Sequence, residues 1–102
     1  DFIDTHCHLD AREFDADRDQ AATAARAAGI RQLVEPAVTC AGFSRVRAMH
    51  EQHGCAVAFG LHPVYLLQHQ PADLDRLDEW LAREQPCAVG EIGLDFHLPE
   101  LD

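Results

Sequence analysis

The chain has 102 residues, 47% of them apolar and 25% charged, with 18 acidic against 8 basic side chains and a net charge of −10. It is long enough for one small domain with a real core, and it has no run of about 18 apolar residues to form a transmembrane helix. The basic side chains are all Arg, and the acidic excess excludes a general nucleic-acid-binding face of clustered Lys and Arg. A polyanionic substrate would need metal ions, or a part of the protein outside this span, to supply a positive field.

In chain order, the first strand is expected over residues 2–6. A first helix follows over 15–28, with Asp15 and Asp17 at its dipole-positive start, an Ala-rich body, and Gly29 as its stop. The second strand covers 32–37, where Pro36 cannot donate to a ladder and marks the strand's end or a bulge. The second helix covers 41–53, with Phe43, Val46, Met49 and His50 at helical spacing and Gly54 after it. Residues 55–61 are a nearly continuous apolar run, the pattern of a strand buried on both faces. A loop over 62–70 leads to Pro71 and a third helix over 72–83. There Leu74, Leu77, Trp80 and Leu81 form the inner stripe, and Asp73, Asp75, Asp78 and Glu79 the wet face. Pro86 breaks the chain before a fourth strand over 87–92.

Strict strand–helix alternation predicts a parallel α/β sheet. The candidates are a doubly wound open sheet and a (β/α)₈ TIM barrel. No Gly-x-Gly-x-x-Gly follows the first strand, and polar, metal-type residues stand at successive strand ends. Both features favour the barrel, whose active sites occupy the carboxyl ends of the strands. Cys7, Cys40, Cys55 and Cys87 are widely spaced, which reads as buried free thiols in a cytoplasmic protein rather than a disulfide framework or zinc site. The opening Asp1-Phe2-Ile3-Asp4 has no basic start, so no signal peptide is expected. With no Met at position 1, the natural start is expected elsewhere.

Three strand ends carry the chemistry. His6 and His8 follow the first strand; at i and i+2 of a strand they would share one face and converge. His62 follows the third strand and Glu91 lies in the fourth. Two imidazoles and a carboxylate suit Zn²⁺, Mn²⁺ or Mg²⁺. The alternatives are specific. His62-Pro63 could be a turn with an exposed imidazole, and Glu91 could face solvent. However, Ala88-Val89-Gly90 reads as buried, and a carboxylate in such a run needs a partner. Asp4 shares the His6 and His8 face as a supporting group or a further ligand. Asp95 lines the site or caps a turn. His50, His53, His69 and His97 read as incidental.

Phe2-Ile3-Asp4-Thr5-His6-Cys7-His8-Leu9-Asp10, Gly60-Leu61-His62-Pro63 and Val89-Gly90-Glu91-Ile92-Gly93-Leu94-Asp95 together resemble the TatD family of metal-dependent hydrolases. Asp-x-His-x-His alone is shared by several hydrolase families; Gly-Glu-Ile-Gly-Leu-Asp is much more specific. The resemblance implies a (β/α)₈ barrel that hydrolyses phosphodiesters, typically as a deoxyribonuclease, with two divalent metal ions (Mg, Mn or Zn). Carried onto this chain, His6 and His8 would bind one metal. Glu91 would bridge both as the catalytic carboxylate, and His62 would lie on the substrate side.

The family pattern has about eight strands, whereas four are read here. Residues 1–102 are therefore expected to be the N-terminal half of one barrel domain, with two further His and an Asp on later strands. A free half barrel would leave two strand edges unpaired. The rest of the barrel is expected from the same protein or from association with another copy. The competing functions are a related barrel acting on small C–N or ester substrates, which the net charge favours because it repels DNA, and an inert half barrel.

Overall fold

The computed structural model describes residues 1–99. Four strands, β1 (Phe2–Asp4), β2 (Ile30–Pro36), β3 (Ala56–Phe59) and β4 (Ala88–Val89), alternate with three helices, α1 (Arg18–Ala27), α2 (Phe43–His53) and α3 (Ala72–Glu84). Short 3₁₀ turns at Arg12–Phe14, Cys40–Gly42 and Pro63–Gln68 join strand ends to helices. All pairings are parallel, and the order in the sheet, β1-β2-β3-β4, is the order in the chain. A doubly wound sheet reverses its strand order at a switch point; a barrel adds each strand beside the last. The sequential order is that of a partial (β/α)₈ barrel.

The core lies between the sheet and the helices. Leu33 of β2 and Val57 and Phe59 of β3 meet Ala22 of α1 and Phe43, Val46 and Met49 of α2. The spacing of those three α2 residues puts them on one helix face. Phe43, Phe59 and Trp80 form an aromatic trio with ring centroids 5.3 and 5.6 Å apart. Such pairs contribute about 0.5–1.5 kcal/mol each beyond the area they bury. Gly54 ends α2 in the left-handed region at φ 69°, where a Cβ would be strained.

Element boundaries depart from the sequence reading for local reasons. β1 ends at Asp4, because the Asp4 carboxylate accepts the His6 N–H at 3.1 Å and turns the chain. The chain touches the sheet again at Cys7, whose N–H reaches the Val34 carbonyl at 3.0 Å. α1 begins at Arg18, since successive turns occupy residues 11–17. β2 ends at Pro36, as expected of a residue that cannot donate. β4 is only two residues long, and Val89 is 50% exposed, so the expected burial of Ala88-Val89-Gly90 is not found. β4 is an edge strand whose outer side nothing among the described residues covers. On α3, Leu77, Trp80 and Leu81 pack on the core but Leu74 is 64% exposed. All four cysteines are free; only Cys55 is buried, and Cys87 is exposed, which corrects the expectation of four buried thiols. No helix among the described residues is long and apolar enough to cross a membrane.

Candidate metal centre

The polar strand-end residues meet at the carboxyl edge of the sheet. His6 and His8 do not project from a strand; both lie in the loop that the Asp4 turn begins. Their convergence comes from that loop, and their Nε2 atoms stand 3.2 Å apart. Glu91 also lies beyond its strand. Its backbone N–H crosses to the Ala37 carbonyl at 2.8 Å, while Gly90 N–H bonds the Phe59 carbonyl at 2.9 Å. This crossing passes directly over Gly60, where a Cβ would sit 2.5 Å from the Glu91 carbonyl oxygen and 2.6 Å from the Gly90 carbonyl carbon. Glycine is required there by close backbone approach.

The Glu91 carboxylate is the hub. Oε2 lies 3.4 Å from His6 Nε2 and 3.1 Å from His8 Nε2, and Oε1 lies 3.3 Å from His62 Nε2. Glu91 is the most buried of the four, at 18% side-chain exposure. One ligand atom each from His6, His8 and Glu91 falls within 4.8 Å of the others, the geometry of a group that could hold a metal ion. Two nitrogens each ~2.1 Å from one metal stand about 3–3.4 Å apart, and the observed His6–His8 separation fits. An imidazole–imidazole–carboxylate set suits a borderline divalent cation.

His62 has a different place. Its Nδ1 accepts the Val64 N–H at 2.9 Å. In a neutral ring the proton is then on Nε2, which faces Glu91 as a donor rather than a ligand. Its backbone N–H is held by the Val38 carbonyl at 2.8 Å, and its carbonyl is held by His69 Nε2 at 2.8 Å. His69, expected to be incidental, therefore braces the turn that presents His62. Asp4 acts on the His6 backbone, and Asp95 caps a turn by accepting the His97 N–H at 2.7 Å.

Sequence reasoning missed the scaffold of the ligand loop. Arg18 reaches the carbonyls of Leu9, Asp10 and Ala11 at 2.8, 3.2 and 2.9 Å, and Arg45 reaches the Asp10 carbonyl at 2.6 Å. From the core side, Glu35 accepts the Asp10 N–H at 2.7 Å. Glu35 is fully buried, and its Oε2 has no hydrogen-bond partner. Burial pushes its pKa from the ordinary 4.5 up to about 8, against the Asp10 N–H that lowers it and with the Asp10 charge that raises it further. Burial, then the neighbouring Glu35, raises the Cys7 thiol to about 11, so this cysteine within the motif is no ready thiolate. The signal for Glu35 was available: it is a carboxylate inside an apolar strand, the same pattern that singled out Glu91.

Known proteins match both the fold and the chain. The crystal structure of the TatD homologue YjjV from Escherichia coli superposes with a TM-score of 0.91 at 38% sequence identity, over 98% of this chain and 40% of that one. Among curated relatives, the Escherichia coli protein described as an uncharacterized metal-dependent hydrolase, YjjV, is 40% identical over 98 residues, covering 93% of this chain. The Bacillus subtilis metal-dependent hydrolase YabD is 33% identical over 96 residues, and human deoxyribonuclease TATDN3 is 33% identical over 104. This chain spans 38% of the length of each of these three. The family model described as TatD related DNase matches residues 3–101, and the chain belongs to that family.

Proposed function

We propose that the protein is a divalent-metal-dependent hydrolase that cleaves phosphodiester bonds as a deoxyribonuclease. The carrying observation is the convergence of His6, His8 and Glu91 at one edge of a parallel sheet. In this reading His6 and His8 would hold one metal ion, and Glu91 would serve both it and a second. Bound divalent ions (Mg, Mn or Zn) supply an activated water and charge neutralisation at the phosphate oxygens. His62 donates to Glu91 Oε1, which leaves Oε2 turned toward His6 and His8, and its loop borders the substrate side. Residues 1–102 form the N-terminal half of one barrel domain, the remaining half brings the further ligands, and this span alone hydrolyses little. The unbridged cysteines suit a reducing compartment such as the cytoplasm.

A second reading keeps the same metal ligands and takes a small amide or ester as substrate. It is favoured by the net charge of −10 and by the absence, among the described residues, of any Arg hydrogen-bonded or ion-paired to His6, His8, His62 or Glu91. The test is turnover by the full-length protein with Mg²⁺, Mn²⁺ or Zn²⁺ on labelled DNA and on a small amide. Metal-dependent release of nucleotides, abolished by a chelator, is the expected result. Turnover of the amide alone selects the second reading, and turnover of both substrates unaffected by chelator refutes the metal-dependent account.

A further inference from the structure

Glu35 takes no part in that chemistry, yet it is the least accessible acidic side chain among the described residues, at 0% exposure. It stands opposite Val57 in the β2–β3 register, within the apolar layer under the helices. Stability does not explain an acid there. Burying a carboxyl group costs free energy unless its hydrogen bonds are fully made. One carboxyl oxygen is left without a partner, and the other accepts the Asp10 N–H at 2.7 Å, a contact that points toward the site. Asp10 is two residues beyond His8, on the loop whose shape sets the His6–His8 separation.

The loop is gripped from opposite sides. Its carbonyls at Leu9, Asp10 and Ala11 are bound by Arg18, with Arg45 also on Asp10. The Ala11 N–H closes a turn onto the His8 carbonyl at 3.0 Å. The Asp10 N–H is held from the core by Glu35. Without that acceptor the Leu9–Asp10 peptide is held by Arg18 at its carbonyl alone, and its N–H side can tilt. Metal ligands must be held to within roughly 0.5 Å, and groups that orient ligands are worth about 10–100-fold in metal affinity.

We propose that Glu35 is a positioning residue for the metal centre: its carboxyl oxygen holds the Asp10 amide and so fixes the loop that brings His6 and His8 together. This rests on the metal-binding reading above. The operative feature is a neutral acceptor at a set position, so Glu35→Gln, which keeps the oxygen, should work and Glu35→Met, which keeps length but not the acceptor, should not.

The experiment is isothermal titration of the full-length metal-free protein with Mn²⁺ or Zn²⁺, alongside its Tm. Glu35→Met is expected to weaken metal binding by about 10–100-fold with a Tm at or above wild type. Glu35→Gln is expected to stay close to wild-type affinity. Wild-type affinity in the Met variant, or an equal loss in the Gln variant, overturns the proposal. His8→Ala serves as the separate control: if it too binds metal normally, the metal reading itself fails. Should the Met variant not fold, amide hydrogen exchange at Asp10 decides. Slow exchange in both wild type and the Gln variant supports the role, and fast exchange in wild type overturns it.

Discussion

Gly60→Ala tests how the hub of the site is placed. The new Cβ would fall 2.5 Å from the Glu91 carbonyl oxygen, 2.6 Å from the Gly90 carbonyl carbon and 2.9 Å from the Glu91 nitrogen. All three are backbone atoms, so no flexible side chain can swing aside. Ordinary contact starts near ~3.5 Å, so the Gly90-Glu91 peptide must retreat by about 1 Å. That retreat strains the Glu91 N–H bond to Ala37 and carries the carboxylate away from His6 and His8. A shift of that size is about twice the tolerance of roughly 0.5 Å for a working site. The expected result is a loss of at least tenfold in metal affinity, with a stability cost of about 1–3 kcal/mol typical of overpacking. Calorimetric metal titration and urea unfolding of the same preparation measure the two. Unchanged metal affinity with unchanged stability would show that Gly60 does not set the position of Glu91.

Glu35 also predicts a pH dependence. The folded state keeps its proton up to about pH 8, whereas the unfolded chain releases it near the ordinary 4.5. Stability from this group is full below the unfolded value and falls as pH rises toward 8, at about 1.4 kcal/mol per pH unit. Urea unfolding of metal-free wild type and Glu35→Gln at pH 5, 6 and 7 should diverge by that slope; parallel profiles would refute the burial argument. Phe59→Ala, at 0% exposure within the aromatic trio, should cost about 3–5 kcal/mol, and a loss under 1 kcal/mol would contradict the packing. Arg45→Ala, which removes an exposed grip on the Asp10 carbonyl, should weaken metal binding several-fold while leaving Tm within 1–2 °C, as expected of a surface substitution.

The alternation of strands and helices is readable in the sequence because apolar runs, helical stripes and glycine stops all agree. Val57 and Phe59 on β3 and Phe43, Val46 and Met49 on α2 pack as their spacing implies. The edge strands are less legible. β1 is cut short by a local bond, the Asp4 carboxylate turning the chain at His6, and β4 by a tertiary one, the Glu91 amide crossing to Ala37. His6, His8, His62 and Glu91 could be singled out because ligand-type residues at strand ends have few other uses. The face-sharing argument for His6 and His8 fails in its details, since a loop rather than a strand makes them converge. The roles of Arg18 and Arg45 escape notice because the groups they hold in the loop are backbone carbonyls, which leave no trace in side-chain patterning.

The most direct test of the central claim is elemental analysis of the purified full-length protein beside His8→Ala and Glu91→Ala. The account predicts bound divalent metal in wild type and its loss in both variants, with cooperative thermal unfolding retained. Wild-type metal content in both variants would contradict it.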